Sequence, residues 1–198
     1  SIALFFSLAL FSFPNKVSAA KLTLYCSVEI DVCEMLEQAY EKATGTKVAM
    51  TRASSGETFA KIKAESSNPK GDVWFGGTGD PHLTAAQEGL TAEYKSVHFN
   101  DLLPAAQNQA KNASYKSVGI YVGALGFGYN KDLIAKKGLP EPKSWMDLTN
   151  PLYKGEIQVA NPNSSGTAYT TLATILQIFG EEKGWDYMKK LHLNINQY

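Results

Sequence analysis

Four loops of the chain carry small polar residues, and each comes after a predicted strand and before a predicted helix. Free backbone N–H groups and the positive end of the following helix point at whatever binds in such a loop. Hydroxyl groups can donate hydrogen bonds there, and glycines let a tetrahedral anion approach the backbone closely. The pattern favours a site for phosphate or a phosphorylated small molecule. The loops are residues 26–27, 54–56, 76–80 and 161–167.

Each loop also has an interpretation that needs no ligand. Ser54 and Glu57 have the spacing of a capping box, in which two side chains satisfy the first turn of a helix. Asn163 or Ser164 can cap the helix that follows. Residues 76–79 can be a tight turn only, because they lack the lysine of a P-loop and the full dinucleotide fingerprint. Convergence of all four loops on one crevice would favour the ligand site.

Motifs for catalysis are weak. The chain has three histidines, and no nucleophile elbow, zinc motif or kinase motif surrounds them. Asp80 and His82 stand two positions apart after a predicted strand, so a catalytic or metal-binding pair is one interpretation. A capping aspartate beside a partly exposed histidine is the commoner arrangement. We therefore predict that the protein is not an enzyme and that it holds no resident metal or cofactor.

The composition is that of an ordinary globular protein. The 198 residues include 19 basic and 19 acidic side chains, and 44% of the residues are hydrophobic. A balanced charge argues against binding to nucleic acid, which selects surfaces with clustered lysines and arginines. Arg52, the only arginine of the chain, could supply charge to an anion site. The alternative for Arg52 is a solvated position at a strand end.

The first 20 residues have the pattern of a secretory signal peptide. Residues 2–13 are almost wholly apolar, and the small residues 18–20 follow. This apolar run falls short of the roughly 20 residues needed to span a bilayer, and a short membrane anchor is the alternative. We expect cleavage before Lys21, or else before Ala20, and export of the mature protein.

Cys26 and Cys33 are candidates for a disulfide, since an exported protein meets an oxidising compartment. Cys26 ends a predicted strand, and Cys33 lies in the first turn of the next predicted helix, which can bring the two Cβ atoms within bridging range. The alternative is a pair of buried free thiols. Two cysteines without paired histidines make a poor metal site, and the chain has no CxxC motif.

Strands and helices alternate in the first half of the chain, and they must position the first three loops. Strands are predicted at 22–25, 46–51 and 72–75, and helices at 29–42, 57–66 and 81–87. This alternation predicts a parallel sheet with helices on both faces, that is, an α/β fold. Ligands of such open sheets bind outside the carboxyl ends of the strands.

A second series of elements follows a change of character in the middle of the chain. Residues 100–117 are polar, and residues 118–129 form an apolar run rich in glycine that can pass extended between two lobes. The second series consists of predicted helices at 132–136, 145–148, 167–179 and 181–192, with strands at 156–159 and from 193 onward.

Four runs of the sequence carry a family resemblance: LTLYCSVEIDVCEMLEQAYEKATGTKVAM, ASSGETFAKIKAESSNPKGDVWFGGTGDPHLTAAQEGL, VGALGFGYNKDLI and PKSWMDLTNPLYKGEIQVANPNSSGTAY. They resemble bacterial periplasmic solute-binding proteins of ABC importers. More narrowly, they are similar to the ferric-iron-binding-like group of the type II fold, and within it to the hexose-phosphate-binding branch. The resemblance covers essentially all of residues 21–198.

The resemblance implies two α/β lobes, with mostly parallel sheets, that close on a ligand and deliver it to an ABC permease in the inner membrane. It places a signal peptide at 1–20, lobe one without its C-terminal return at 21–117, and the first crossover strand at 118–129. An incomplete lobe two follows at 130–198. We therefore expect a periplasmic, monomeric binding protein for an anionic small molecule, a sugar phosphate.

The resemblance also indicates which residues contact the ligand. Ferric binders of this group carry a histidine in the first loop and a glutamate after the third strand, and neither residue is present here. Hard ferric iron needs anionic oxygen ligands, whereas these loops offer hydrogen-bond donors. A ferric-iron or ferric-complex binder remains the alternative, and a phosphate-ester enzyme is less favoured. The predicted contacts are Ser27, Ser54, Ser55, Gly56, Gly77, Thr78, Asp80, Ser164, Ser165, Gly166 and Thr167.

Overall fold

The computed structural model describes residues 21–198, and the predicted signal peptide lies outside them. The first sheet has three parallel strands. Strand β1 (Lys21–Cys26) lies in the middle, between β2 (Lys47–Arg52) and β3 (Val73–Phe75). This βαβαβ arrangement is the one that the predicted alternation of strands and helices implies.

The ends of the three strands are in register. Cys26, the last residue of β1, is paired with Arg52 at the end of β2 and with Phe75 at the end of β3. Parallel strands all run in one direction, so the loops after them leave from the same edge of the sheet. The register therefore brings the first three polar loops together.

Three helices connect and follow these strands: α1 (Ile30–Thr44), α2 (Ser55–Ala64) and α3 (Gly79–Gln87). Helices α2 and α3 each begin two residues earlier than the sequence predicts, because the residues just before them, Ser54 and Thr78, adopt the extended conformation of an N-cap. Parts of the second and third polar loops are therefore the first turns of helices.

A disulfide joins Cys26 and Cys33, which confirms the favoured interpretation over free thiols. Both cysteines are fully buried and form the first core cluster with Leu24. The bridge ties the end of β1 to the first turn of α1. The bridge restricts the conformational freedom of the unfolded chain. For a loop this short, the restriction adds about 2–3 kcal/mol to the free energy of unfolding. The partly buried residues Leu22, Val28, Val48, Met50 and Phe75 pack against this cluster.

The polar stretch 100–117 contains a helix that the sequence pattern does not predict. Helix α4 (Pro104–Asn112) begins with a proline in its first turn, where the missing N–H group carries no penalty. Residues 113–130, which include the predicted crossover 118–129, form neither helix nor strand. This extended segment leads to α5 (Lys131–Lys136).

The second sheet is a parallel pair of short strands, β4 (Ile157–Gln158) and β5 (Ile195–Gln197). Helices α6 (Gly166–Phe179) and α7 (Glu181–His192) connect them, and the short 3₁₀ helices Trp145–Thr149 and Pro151–Tyr153 precede β4. These elements lie within about two residues of the predicted ones, except that β4 is shorter and that the 3₁₀ helix Pro151–Tyr153 was not predicted. The α/β fold with parallel sheets is confirmed.

The second core cluster lies between α6 and α7. Ile175, Tyr187 and Leu191 are buried in it. The helices approach closely at Gly184, where an added Cβ would lie 2.7 Å from Leu176 Cδ2. In residues 21–198, no helix is long and apolar enough to cross a membrane.

Candidate functional site

The structure brings all four polar loops to one point. A Cβ atom added to Gly77 in the third loop would lie 3.1 Å from Ser27 Cβ in the first loop and would overlap Ser55 Oγ in the second. A Cβ atom added to Gly166 in the fourth loop would overlap Thr78 Oγ1 in the third and lie 2.9 Å from Ser55 Oγ. The convergence that would favour a ligand site is therefore present.

Three helices begin at this point. Ser55 is the first residue of α2, Gly79 of α3 and Gly166 of α6. Each helix end carries a partial positive charge and unpaired N–H groups, so three such ends create an electropositive spot without a formal charge. Within the described residues, the amides of Ser55, Gly166 and Thr167 donate to no other group.

Backbone and side-chain hydrogen bonds join the second loop to the fourth. Gly56 N donates to Ser164 O at 3.0 Å, and Ser54 Oγ lies 2.6 Å from the same oxygen. An added Cβ at Gly56 would lie 2.5 Å from Ser164 O and 2.9 Å from Asn163 O, so a side chain there would separate the loops. The contact links the part of the chain with the first sheet to the part with the second.

Ser54 also forms the predicted capping box with Glu57. Ser54 N and Oγ donate to Glu57 Oε2 at 3.0 and 2.7 Å. These hydrogen bonds, the one from the hydroxyl first, lower the pKa of the Glu57 carboxyl. The serine hydroxyl has one proton, so the Glu57 carboxylate and Ser164 O compete for it.

Side chains from three elements hold the glycine loop, defined here as residues Gly76–Thr78. His82 Nε2 of α3 lies 2.8 Å from Gly76 O. Tyr121 of the extended segment accepts a hydrogen bond from Gly77 N at 2.8 Å and donates one to Gly77 O at 3.0 Å. Ser55 Oγ accepts a hydrogen bond from Thr78 N at 3.2 Å. The loop is therefore fixed at every residue.

The conformation of the glycine loop explains its sequence. Gly76 and Gly77 both adopt left-handed backbone angles, with φ of +78° and +88°. A side chain is strained in this region. An added Cβ at either position would also overlap a neighbour, Val28 Cγ1 for Gly76 and Ser55 Oγ for Gly77.

The hydroxyl of Thr78 is buried and has no hydrogen-bond partner among residues 21–198. It touches Gly166 at the first turn of α6. A buried hydroxyl without a partner costs about 1–3 kcal/mol. An acceptor atom at the junction of the three helix ends would satisfy this group.

Ser27 is engaged in an internal network. Its hydroxyl accepts a hydrogen bond from Trp74 Nε1 at 2.9 Å and lies 3.1 Å from Thr58 Oγ1. The Trp74 ring stacks on the His82 ring, with centroids 3.6 Å apart and planes at 21°. Burial lowers the pKa of His82. The structure thus places His82 under Trp74, where it supports the glycine loop.

The remaining predicted contacts lie at the rim. Asp80 is exposed in the first turn of α3. Ser165 Oγ caps α6 by accepting a hydrogen bond from Ala168 N at 3.3 Å, and Ser164 Oγ donates to Asn161 O at 3.3 Å. Thr167 is exposed. Ser165 is therefore the helix cap, where the sequence offered Asn163 or Ser164.

The site carries little formal charge. Arg52 is exposed, as the solvated alternative predicts, and its Nε donates to Val28 O at 3.0 Å. In the described part of the chain, no group of three or more His, Cys, Asp or Glu side chains could hold a metal ion.

A cavity of about 310 Å³ lies at the carboxyl ends of β4 and β5, lined by Gln158, Val159, Ala160, Gln197 and Tyr198.

Three residues that contact the predicted site residues were not predicted from the sequence: Thr58, Trp74 and Tyr121. Thr58 lies one helical turn after Ser54, so its position on the same helix face could have been inferred. Trp74 immediately precedes the end of β3. Tyr121 stands 44 positions after Gly77, on a segment with no regular period, and no sequence signal points to their contact.

A family model described as bacterial extracellular solute-binding protein matches residues 73–198. The periplasmic binding protein AfuA from Actinobacillus pleuropneumoniae, solved with exogenous fructose-6-phosphate bound, is 45% identical. Its superposition covers 91% of this chain and 57% of AfuA, with a TM-score of 0.87.

Two curated relatives are similar in sequence. An uncharacterized protein of Haemophilus influenzae is 46% identical over 90% of this chain and 52% of its own length. The probable ABC transporter periplasmic-binding protein y4fP of Sinorhizobium fredii is 30% identical over 79% of this chain and 43% of its own length. The chain thus spans about half the length of the curated relatives that it matches.

Proposed function

The chain belongs to the bacterial extracellular solute-binding proteins, and we propose that it captures a phosphorylated small molecule, a sugar phosphate, between two lobes for import by an ABC transporter. The first lobe comprises residues 21–117, the crossover residues 118–129, and the second lobe begins at residue 130. The protein acts in the periplasm as a monomer and passes its ligand to an inner-membrane permease.

One observation carries this proposal: three helix N-termini meet around the unpartnered hydroxyl of Thr78. Such a junction offers several hydrogen-bond donors, among them the amides of Ser55, Gly166 and Thr167, which are free within residues 21–198. A phosphoryl group supplies three strong acceptor oxygens and negative charge, and it therefore suits the junction. Among the predicted contacts, Ser55, Thr78, Gly166 and Thr167 are best placed to donate to it.

The proposed binding needs no positively charged side chain. Hydrogen bonds from neutral N–H and hydroxyl groups to an anion are charge-assisted and stabilise by about 1.5–3 kcal/mol each. Because these donors sit on three helices from both parts of the chain, full contact requires the parts to be closed. A ligand would therefore shift the balance between open and closed forms toward the closed form.

One relative supports the class of ligand, and another supports the role in transport. AfuA, 45% identical, is solved with fructose-6-phosphate bound, and y4fP is described as a probable periplasmic-binding protein of an ABC transporter. Binding and release require no bond to be made or broken, so the proposed protein is a carrier without enzymatic activity, cofactor or metal.

The test is thermal denaturation and calorimetry of the full-length protein with a panel of ligands. The panel comprises glucose 6-phosphate, glucose, inorganic phosphate, 2-aminoethylphosphonate and ferric citrate. A ligand present at about 100 times its Kd stabilises the folded protein by roughly 2.7 kcal/mol. We expect stabilisation by glucose 6-phosphate and none by glucose.

Two outcomes would overturn the proposal. Stabilisation by ferric citrate alone would make the protein an iron carrier. Release of inorganic phosphate from glucose 6-phosphate at a rate proportional to the protein concentration would make it an enzyme.

A further inference from the structure

Tyr121, in the extended segment 113–130, is hydrogen-bonded to the glycine loop. Its hydroxyl accepts a hydrogen bond from Gly77 N at 2.8 Å and donates one to Gly77 O at 3.0 Å. A phenol can donate and accept at once, so one side chain satisfies both polar groups of Gly77. We propose that Tyr121 is a positioning residue through which the extended segment sets the place of the anion-binding loop, an inference that rests on the proposed function.

Tyr121 stands where the extended segment leaves the first part of the chain. Two residues earlier, Gly119 lies against α4, since an added Cβ would be 2.7 Å from Gln109 Oε1 and 3.5 Å from Ala106 Cβ. Immediately after Tyr121, the side chain of Val122 is 82% exposed. No atom of the described residues lies within 4 Å of an added Cβ at Gly123.

The same segment next contacts the second part of the chain through Phe127. The Phe127 ring packs edge-on against the Trp145 ring, with centroids 5.2 Å apart. The backbone between Tyr121 and Phe127 therefore bridges the two parts. Opening of the two parts requires this backbone to bend. On the side of the first part, the movement reaches the glycine loop through the hydrogen bonds of the Tyr121 hydroxyl.

The group that Tyr121 holds is adjacent to the buried donor of the site. Gly77 is followed by Thr78, whose N–H group bonds to Ser55 Oγ and whose hydroxyl is buried without a partner. Gly76 and Gly77 have left-handed backbone angles and no side chains of their own to restrain them. Without the phenol hydroxyl, Gly77 N and O lose both of these hydrogen bonds. The peptide that precedes Thr78 is then held through its neighbours, by His82 at Gly76 O and by Ser55 at Thr78 N.

The experiment compares three variants of the full-length protein by calorimetry with glucose 6-phosphate. Tyr121→Phe keeps the ring and removes both hydrogen bonds, and 4-aminophenylalanine at position 121 restores a group that donates well to Gly77 O and accepts only weakly from Gly77 N. Tyr129→Phe is the matched control, because Tyr129 OH donates to Glu141 at 2.8 Å at an exposed position of the same segment.

We expect Tyr121→Phe to bind roughly tenfold more weakly, because part of the binding free energy is then spent on ordering the glycine loop. The amino variant should recover part of the affinity through its restored donor, and Tyr129→Phe should bind like the wild type. Thermal denaturation without ligand verifies that each variant is folded.

The outcomes separate this inference from the proposed function. If the wild type binds and Tyr121→Phe binds equally well, the positioning role is wrong and the proposed function stands. If the amino variant binds as weakly as Tyr121→Phe, hydrogen bonding by residue 121 is not the cause and the inference is also wrong. If the wild type binds none of the phosphorylated ligands, both fail.

Discussion

The hydroxyl oxygen of Ser54 lies 2.6 Å from the carbonyl oxygen of Ser164, although the two residues are 110 positions apart in the sequence. Ser54 caps α2 beside the first sheet, and Ser164 precedes α6 beside the second. Gly56 N donates to the same carbonyl oxygen. Separation of the two parts of the chain would have to break both contacts, so these hydrogen bonds should be present only in the closed form that we propose.

Replacement of Ser54 by alanine should weaken the closed form. The change removes an N-cap, which costs about 1 kcal/mol of stability, and it removes the hydrogen bond to Ser164 O. We expect a lower Tm together with severalfold weaker binding of glucose 6-phosphate in calorimetry.

The matched control is Ser144→Ala. Ser144 forms a capping box with Asp147 at the 3₁₀ helix Trp145–Thr149, so its loss also removes a cap. It should lower the Tm by a similar amount and leave the affinity unchanged. Equal loss of affinity in both variants would show that binding responds to helix capping in general, contrary to the expectation.

Replacement of Gly77 by alanine should damage the site more than replacement of Gly45. Gly77 has a left-handed backbone, and an added Cβ overlaps Ser55 Oγ. Gly45 has a similar φ of +71°, but no neighbouring atom of residues 21–198 lies within 4 Å of its added Cβ. The backbone conformation alone costs about 1–2 kcal/mol in each case.

The difference between the two alanine variants therefore measures the overlap at the site. We expect Gly45→Ala to unfold at lower urea concentration and to bind glucose 6-phosphate normally. Gly77→Ala should lose more stability and most of its affinity. Normal binding by a folded Gly77→Ala protein would be incompatible with a ligand site at the glycine loop.

The stability of the protein should depend on pH through His82. Burial lowers the pKa of His82 below its ordinary value of 6.5, because the charged ring is disfavoured inside the fold. The unfolded chain therefore binds more protons than the folded one between the two pKa values. The free energy of unfolding is highest above about pH 6.5 and decreases as the pH falls toward the lower pKa.

Urea denaturation at about pH 7.5 and pH 5.5 tests this dependence. His82→Gln keeps an amide that can donate to Gly76 O, which His82 reaches at 2.8 Å, and cannot become charged. We expect the variant to lose less stability on acidification than the wild type. His98→Gln, at an exposed position, is the control and should follow the wild type. If the free energy of unfolding of His82→Gln fell as much between about pH 7.5 and pH 5.5 as that of the wild type, the prediction would be wrong.

The convergence of the first three loops could be predicted from the sequence because it follows from local patterns. Alternating strands and helices imply a parallel sheet, and parallel strands end at one edge. The capping box of Ser54 and Glu57 and the disulfide between Cys26 and Cys33 depend on spacings of three and seven residues, which the sequence displays directly.

The contacts that complete the site could not be predicted, because they join residues that are distant in sequence and lie outside periodic segments. Tyr121 reaches Gly77 from a segment without helix or strand, and Ser164 reaches Ser54 across the whole of the intervening chain. Helix α4 was also missed, because residues 100–117 carry no clear apolar period. Its signal was Pro104, which stands at the first helical position.

Replacement of Thr78 by valine should make the protein more stable and a weaker binder. Valine has the shape of threonine, and Thr78 has the extended backbone that β-branched residues accept. Removal of a buried hydroxyl that has no partner relieves about 1–3 kcal/mol in the free protein. The same hydroxyl, if it donates to the phosphoryl group, stabilises the complex, so we expect roughly 10- to 100-fold weaker binding of glucose 6-phosphate.

Thr91→Val is the matched control, because the Thr91 hydroxyl is also buried without a partner in the described part of the chain and lies outside the four loops. Both variants should raise the Tm of the free protein, since both remove an unsatisfied polar group. Only Thr78→Val should reduce affinity in calorimetry. An increase in Tm without loss of affinity in Thr78→Val would mean that the Thr78 hydroxyl makes no hydrogen bond to the ligand. Removal of an unsatisfied buried hydroxyl would then be the whole effect of the substitution.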